Sequence, residues 1–310
     1  MAIKFRNYNN EGDFKLIGDF LSKHYATDNK DGNWLKSSWE FIHSHPCIKW
    51  FNIDRIGIWE DNGEIVGVVR LESPFYGYVG FDIHPQYGFL KKQMLTYAEK
   101  VFCGVNKDGS SYINILIPEF DTEFENVIEK EGYEKDKNNT VIKMRYLIEY
   151  PFPEIKIPNG FKIQSLEDDY NFEKISRLIW RGFEYPGEPP MEEINDLAKM
   201  HAWTKFRRNT TITIESSDKS LVSICGMWYD DTNKVTFVEP VVADPNFRNM
   251  GLGKAAMLEA IKRCGKLGAT VAFVEPDMEA IGFYEAVGFK KSYTSYYWKK
   301  SWNSQYKEYI

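Results

Sequence analysis

The sequence predicts an α/β protein of two tandem domains of one design, each a mixed central sheet flanked by helices. Three observations predict it: the length, the alternation of strand-like with helix-like stretches, and an internal repeat that keeps its order. At 310 residues the chain exceeds what one hydrophobic core usually organises, so two domains of ~150 residues are expected. Hairpin signals at Asp61-Asn62-Gly63 and Asp230-Asp231-Thr232-Asn233 place antiparallel pairs among the strand and helix alternation, which makes each sheet mixed.

The repeat runs through four pairs of segments. Lys4-Phe5-Arg6 through Phe14-Lys15-Leu16-Ile17 recurs 158 residues later as Lys162-Ile163-Gln164 through Phe172-Glu173-Lys174-Ile175. Glu64-Ile65-Val66-Gly67-Val68-Val69 matches Val222-Ser223-Ile224-Cys225-Gly226-Met227-Trp228, a strand with an internal glycine. Asp82-Ile83-His84-Pro85 matches Val242-Ala243-Asp244-Pro245, where a strand closes before a helix. Glu131-Gly132-Tyr133 matches Val287-Gly288-Phe289, where glycine stops a helix ahead of the next strand. A slowly drifting offset over four ordered matches reads as duplication. The prolines at 151, 153 and 158 disfavour helix and central strand, so the join is set at residue 150, with domains 1–150 and 151–310. The aromatics Tyr293, Tyr296, Tyr297, Trp298 and Trp302 read as a final strand and packing tail.

Composition excludes several classes of function. The chain is 43% hydrophobic and 16% aromatic, the make-up of a folded protein, and no run of about 18 apolar residues could span a bilayer. The first residues lack the apolar stretch and small-residue site of a secretory signal, so a cytoplasmic protein without a membrane partner is expected. Four cysteines, Cys47, Cys103, Cys225 and Cys264, form no Cys-x-x-Cys pair, which argues against a zinc site or disulfide framework. His24, His43, His45 and His84 have no spacing that suggests metal, and no metal is expected. A formal charge of −6 without a basic cluster disfavours nucleic acid. A small or cationic partner fits better.

The stretch that carries chemistry is Val241-Val242-Ala243-Asp244-Pro245-Asn246-Phe247-Arg248-Asn249-Met250-Gly251-Leu252-Gly253-Lys254 and the Ala/Met/Leu-rich run behind it. A β-branched strand ends at Asp-Pro, and apolar beats at 257, 258 and 261 mark a helix. Glycines at 251 and 253 let backbone N–H groups converge at a helix N-terminus, where partial positive charge favours an anion. Arg248 would add a charge-assisted hydrogen bond. Physics alone gives an anion cradle or a glycine-tightened turn. The spacing fits neither a Rossmann nor a Walker loop.

Arg248-x-x-Gly251-x-Gly253 after Asp-Pro resembles the acyl-CoA pyrophosphate signature of the GNAT superfamily of N-acetyltransferases. Downstream, Ala280-Ile281-Gly282-Phe283-Tyr284-Glu285-Ala286-Val287-Gly288-Phe289 resembles the family's second signature. With the weak N-terminal copy, the whole chain is similar to tandem GNAT proteins of the mycothiol-synthase-like kind. The resemblance implies acetyl-CoA as co-substrate, with its pyrophosphate on Arg248, Asn249, Met250, Gly251, Leu252, Gly253 and Lys254. It implies a pantetheine arm along Val241, Val242 and Ala243, and further cofactor contacts at Asp277 and Phe283. One departure stands at Asp277, where the family often has Asn.

Two residues would act on the chemistry. Glu239 interrupts an otherwise apolar strand, Phe237-Val238-Glu239-Pro240-Val241-Val242. It is either solvated at a strand edge or held in a cleft with a raised pKa, as a general base for an ammonium substrate would be. Tyr284 is either a core aromatic or the acid that protonates the departing thiolate, the role that the resemblance implies. Five acids, Glu184, Glu188, Glu192, Glu193 and Asp196, crowd the stretch from Phe183 to Asp196; they form a solvated loop or steer a cationic amine.

The first half has lost the cradle. Between Pro85 and Met94-Leu95 it is three residues shorter than the second copy and keeps only Gly88, while Ile128 takes the place of Tyr284. A non-catalytic first domain is expected. The function expected of the whole is transfer of an acetyl group from acetyl-CoA to a primary amine of a small molecule or peptide. The alternatives are a non-catalytic acyl-CoA-binding regulatory protein and a transferase of a bulkier acyl group. A monomer with pseudo-twofold halves is expected, a dimer being the alternative.

Overall fold

In the computed structural model, which describes residues 2–9 and 12–303, the two halves lay down the same order of elements. The first half gives β1 (Lys4–Asn7), α1 (Asp13–Lys23), α2 (Lys36–Ser44), β2 (Gly57–Asp61), β3 (Glu64–Leu71), β4 (Tyr78–Ile83), α3 (Lys91–Val101), β5 (Gly104–Val105), β6 (Ser111–Pro118), α4 (Thr122–Lys130) and β7 (Glu134–Leu147). The second gives β8 (Lys162–Ser165), α5 (Phe172–Gly182), α6 (Met191–His201), β9 (Ile212–Glu215), β10 (Leu221–Asp230), β11 (Val235–Ala243), α7 (Leu252–Lys266), β12 (Val271–Val274), α8 (Ile281–Val287) and β13 (Lys290–Trp302). Apart from the short β5, each element of one half has a counterpart in the other. The mixed α/β architecture read from the repeat is the one observed.

Contacts gather these elements into two compact units, assembled from other stretches than a cut at residue 150 would give. One unit takes Met1–Lys36, Cys47–Ile142 and Ser292–Ile310; the other takes Ser37–Pro46 and Lys143–Lys291. The first unit's sheet runs β1-β2-β3-β4-β6-β13, with β5 also on β6. Among the described residues of this sheet β4 and β6 pair in parallel, at Tyr78 with Asn114 and Val79 with Ile115. The five C-terminal aromatics all lie in β13, which pairs antiparallel with β6 from Ser295 opposite Pro118 to Trp302 opposite Ser111; the tail beyond 303 lies outside the described residues. The second unit's sheet runs β8-β9-β10-β11-β12-β7. Again one pair is parallel, β11 with β12, and the end of β7 closes the edge, Met144 to Leu147 against Val274 to Val271.

Local chemistry accounts for the turns. Asn62 (φ 52°) and Gly63 (φ 85°) join β2 to β3 in the left-handed conformations that a two-residue hairpin requires. Gly288, at φ 123°, ends α8 as the repeat anticipates. Helix α5 buries Ile175 and Leu178, one helical turn apart, against Leu166, Ile224 and Val242. Each such side chain contributes about 1.5–3 kcal/mol through burial, and together they fix α5 across the end of β10 and β11. None of the helices among the described residues is long and apolar enough to cross a membrane.

Candidate active site

Strand β11 organises the candidate site because its two edges have different fates. One edge follows β10, with Trp228 opposite Phe237 and Ile224 opposite Val242. The other pairs with β12 only from Val235 to Phe237, and beyond Phe237 the parallel ladder stops. A bulge marks the parting: Glu239 and Pro240, joined by a cis peptide, stand opposite Gly226 alone. A Cβ at 226 would lie 2.4 Å from the Glu239 carbonyl oxygen, so only glycine lets the strands close on this bulge. The isolated glycine within an apolar strand run was the sequence signal for it.

Alternation along the ladder assigns the backbone groups. Asp244 donates its N–H to the Val222 carbonyl (3.0 Å), which turns Val242 toward β10 as well. Val241 and Ala243 therefore turn their amides and carbonyls to the edge that β12 has left. The Ala243 carbonyl points that way, accepting from Arg248 Nε at 3.4 Å.

Beyond β11 the chain makes a short 3-10 turn, Pro245–Phe247, held by the Asp244 side chain, which accepts from the Asn246 N–H. Asp244 is itself clamped by Arg181 of α5 (2.9 Å). Asn249 (φ 63°) and Gly251 (φ 80°) then bring the chain into α7, which no side chain caps. The first amides of the helix, at Leu252, Gly253 and Lys254, lack intrahelical acceptors by the geometry of any helix start. Gly253 leaves room for Phe283, whose ring would lie 3.4 Å from a Cβ there. The Lys254 ammonium binds the Ala286 carbonyl (2.5 Å), tying α7 to α8. Met250 is exposed.

Arg248 is engaged with protein. Its guanidinium contacts a Glu184 carboxylate oxygen at 2.5 Å and the Gly182 carbonyl at 2.7 Å. Glu184 thus carries a cation, as do Glu188 on Arg177 (2.7 Å) and Asp196 on Lys199 (2.8 Å) in the same stretch. These pairs reduce the unbalanced negative charge that the sequence alone assigns to that stretch.

Glu239 and Tyr284 come together electrostatically. Glu239 is half-buried, and burial, followed by the charges of Asp277 and Glu275, pushes its pKa up to about 7. A carboxyl in this range exchanges protons near neutrality. Glu275 is bound by the buried Lys143 at the end of β7, a partner that sequence reasoning missed because nothing in a local pattern links the two. Tyr284, buried on α8, has its phenol pushed well upward by burial first and then by Glu239, Cys225 and Asp277. Its ring meets Phe289 edge-on at 5.5 Å. The ring is thus packed as a core aromatic is, and its phenol is held in the protonated form by burial and the nearby negative charge.

At the corresponding place in the first unit, the start of α3 carries a buried Lys91 whose ammonium binds both carboxylate oxygens of Asp121 at 2.8 Å. Asp121 also caps α4 by accepting from the Phe124 N–H. An ion pair thus stands where the second unit has free amides. Among the described residues no group of three or more His, Cys, Asp or Glu is placed to hold a metal.

Residues 172–289 match the sequence model of the acetyltransferase (GNAT) family. No curated protein sequence matches the chain. Among solved structures, a tandem GNAT protein from the clavulanic acid biosynthesis pathway is similar at a TM-score of 0.65 and 13% identity, covering 97% of this chain and 98% of that one. A GCN5-related N-acetyltransferase from Sphaerobacter thermophilus is similar at a TM-score of 0.63 and 14% identity, with 96% and 95% covered. At these identities the likeness is one of fold, and it extends over both halves.

Proposed function

We propose that this chain, whose residues 172–289 match the acetyltransferase (GNAT) family model, moves an acetyl group from acetyl-CoA to a primary amine, by direct attack in a ternary complex. The observation that carries this reading is Glu239, a half-buried carboxyl with a pKa near 7 where β11 parts from β12. An amine arrives at neutral pH as an ammonium and must lose a proton before it can attack; Glu239 would take that proton, directly or through water.

The donor would lie along the open edge of β11. Outward-facing backbone groups of Val241 and Ala243 would pair with the pantetheine arm, and the Val241 N–H would hold the oxyanion as the carbonyl carbon becomes tetrahedral. The pyrophosphate would sit on the amides of Asn249 to Lys254 at the start of α7, flanked by Phe283 and Asp277. Arg248 would exchange Glu184 for a phosphate oxygen. Collapse of the intermediate breaks the carbon–sulfur bond, and Tyr284, whose phenol keeps its proton, would give it to the thiolate. The first unit would bind no acetyl-CoA in this manner, since its Lys91–Asp121 pair occupies the equivalent helix start.

The test is release of free thiol from acetyl-CoA against a panel of primary amines. Acceptor-dependent release that Glu239→Gln abolishes supports the reading. Coenzyme A binding without such release would overturn it.

A further inference from the structure

The second unit contains a stretch that the sequence pattern assigns to the first half: Ser37–Pro46, most of helix α2. It packs on the sheet through Phe41, whose ring lies 5.6 Å from Trp228 and 6.4 Å from Phe237. His45, one residue past the end of α2, backs that ring at 5.6 Å and feels the charge of Asp196 on α6. Trp228 and Phe237 are register partners, so both face the same side of the sheet. The other side is held by α7, where Cys264 meets the Thr236 hydroxyl at 3.7 Å.

Two residues beyond Phe237 the strand reaches Glu239, and the alternation of side chains returns it toward the α2 side at the bulge. Further along, Ile224 and Val242 are covered by α5, whose Gly182 approaches Val242 so closely that a Cβ would overlap it. The face of β11 is therefore covered by α2 at Phe237 and by α5 at Val242. Between them lies the bulge that carries Glu239. On the α2 side of the bulge stands Phe41, which is half-buried, and Phe206 meets the same Trp228 at 6.0 Å.

We propose that helix α2 forms the acceptor-side wall of the Glu239 site, with Phe41 as a specificity-determining residue that selects amines carrying an apolar chain beside the ammonium. The inference rests on the acetyl-transfer reading and narrows it to a substrate class. An ammonium at Glu239 puts the first carbons of its substituent alongside the Phe41 ring, where each methylene leaves water. A polyamine would place a second charge against the same ring and would gain less.

The test uses the full chain, acetyl-CoA and a series of linear alkylamines from propylamine to hexylamine, with the diamine putrescine as the polar counterpart of the series. The wild type should gain roughly fourfold in kcat/KM per added methylene, the rate equivalent of a buried CH₂, and should favour butylamine over putrescine. Phe41→Ala should flatten that gain to less than twofold per methylene and leave the KM for acetyl-CoA unchanged. If that variant folds poorly, Phe41→Trp serves in its place, and its larger ring should move the optimum to a shorter amine. Turnover that is independent of chain length, or identical in wild type and variants, overturns the inference and leaves acetyl transfer standing. Absence of amine-dependent thiol release with every acceptor overturns both.

Discussion

Replacing Glu239 by Gln should stabilise the protein at alkaline pH while it abolishes acceptor-dependent turnover. The carboxyl is raised from its ordinary 4.5 to about 7 by burial and by the charges of Asp277 and Glu275. Raising an acid by that amount corresponds to about 3.4 kcal/mol against its ionised form. The sign follows from linkage. Below the unfolded value the group is neutral in both states and contributes no penalty. As pH rises from 4.5 through 7, the unfolded chain ionises first and the folded state loses stability relative to it. Glutamine has the same shape and does not ionise, so its advantage should be near zero at pH 4.5 and grow to a plateau above pH 7. Because part of the side chain reaches water, a plateau of about 2–3 kcal/mol is expected. Urea denaturation of wild type and variant, followed by tryptophan fluorescence at pH 4.5, 6, 7 and 8.5, measures it. A difference that stays constant across this range, or a wild type favoured at pH 8.5, would refute the placement of Glu239 in a desolvated, negatively charged cleft. Wild-type kcat/KM should also show an acid limb near pH 7, which Asp277→Asn moves to lower pH.

Three further outcomes follow from the same geometry. Tyr284→Phe should keep the fold, since the ring packs against Phe289, and lower kcat by about a hundredfold through loss of the general acid; unchanged steady-state turnover would remove Tyr284 from the mechanism. Gly226→Ala places a methyl 2.4 Å from the Glu239 carbonyl oxygen, and the displaced bulge should cost about 1–3 kcal/mol in stability and lower kcat more than it raises the KM for acetyl-CoA, as thermal unfolding and kinetics would show. Glu184→Gln frees Arg248 from an exposed pair worth at most about 1 kcal/mol, so coenzyme A should bind up to about fivefold more tightly by calorimetry, whereas Arg248→Ala should weaken it.

The tandem plan was legible in the sequence because duplication repeats apolar periodicity, and glycine and proline stand at the same turns in both copies. The start of α7 was legible from its own glycines: Gly251 adopts φ 80°, and few other residues tolerate that conformation. Glu239 stood out as a charge within an apolar strand, although its raised pKa depends on Asp277, Glu275 and burial, which only the fold brings together. Partners distant in sequence were invisible. Arg248 read as a charge-assisted donor to a bound anion, and its contacts to Glu184 and the Gly182 carbonyl had no local signal. Val242 read as one of three equivalent backbone contacts, whereas the strand ladder turns it toward β10. The placement of 37–46 and 143–147 in the second unit could not be foreseen, since exchange of a helix or strand between copies leaves the local hydrophobic pattern unchanged.

The account rests on the amides at the start of α7 receiving a diphosphate, and titration calorimetry with coenzyme A tests this most directly. Wild type should bind one equivalent, and Gly251→Val, which forces a β-branched side chain into a left-handed position, should lose at least tenfold in affinity while the Lys91→Ala variant of the first unit binds as wild type does. Equal affinity in wild type and Gly251→Val would contradict it.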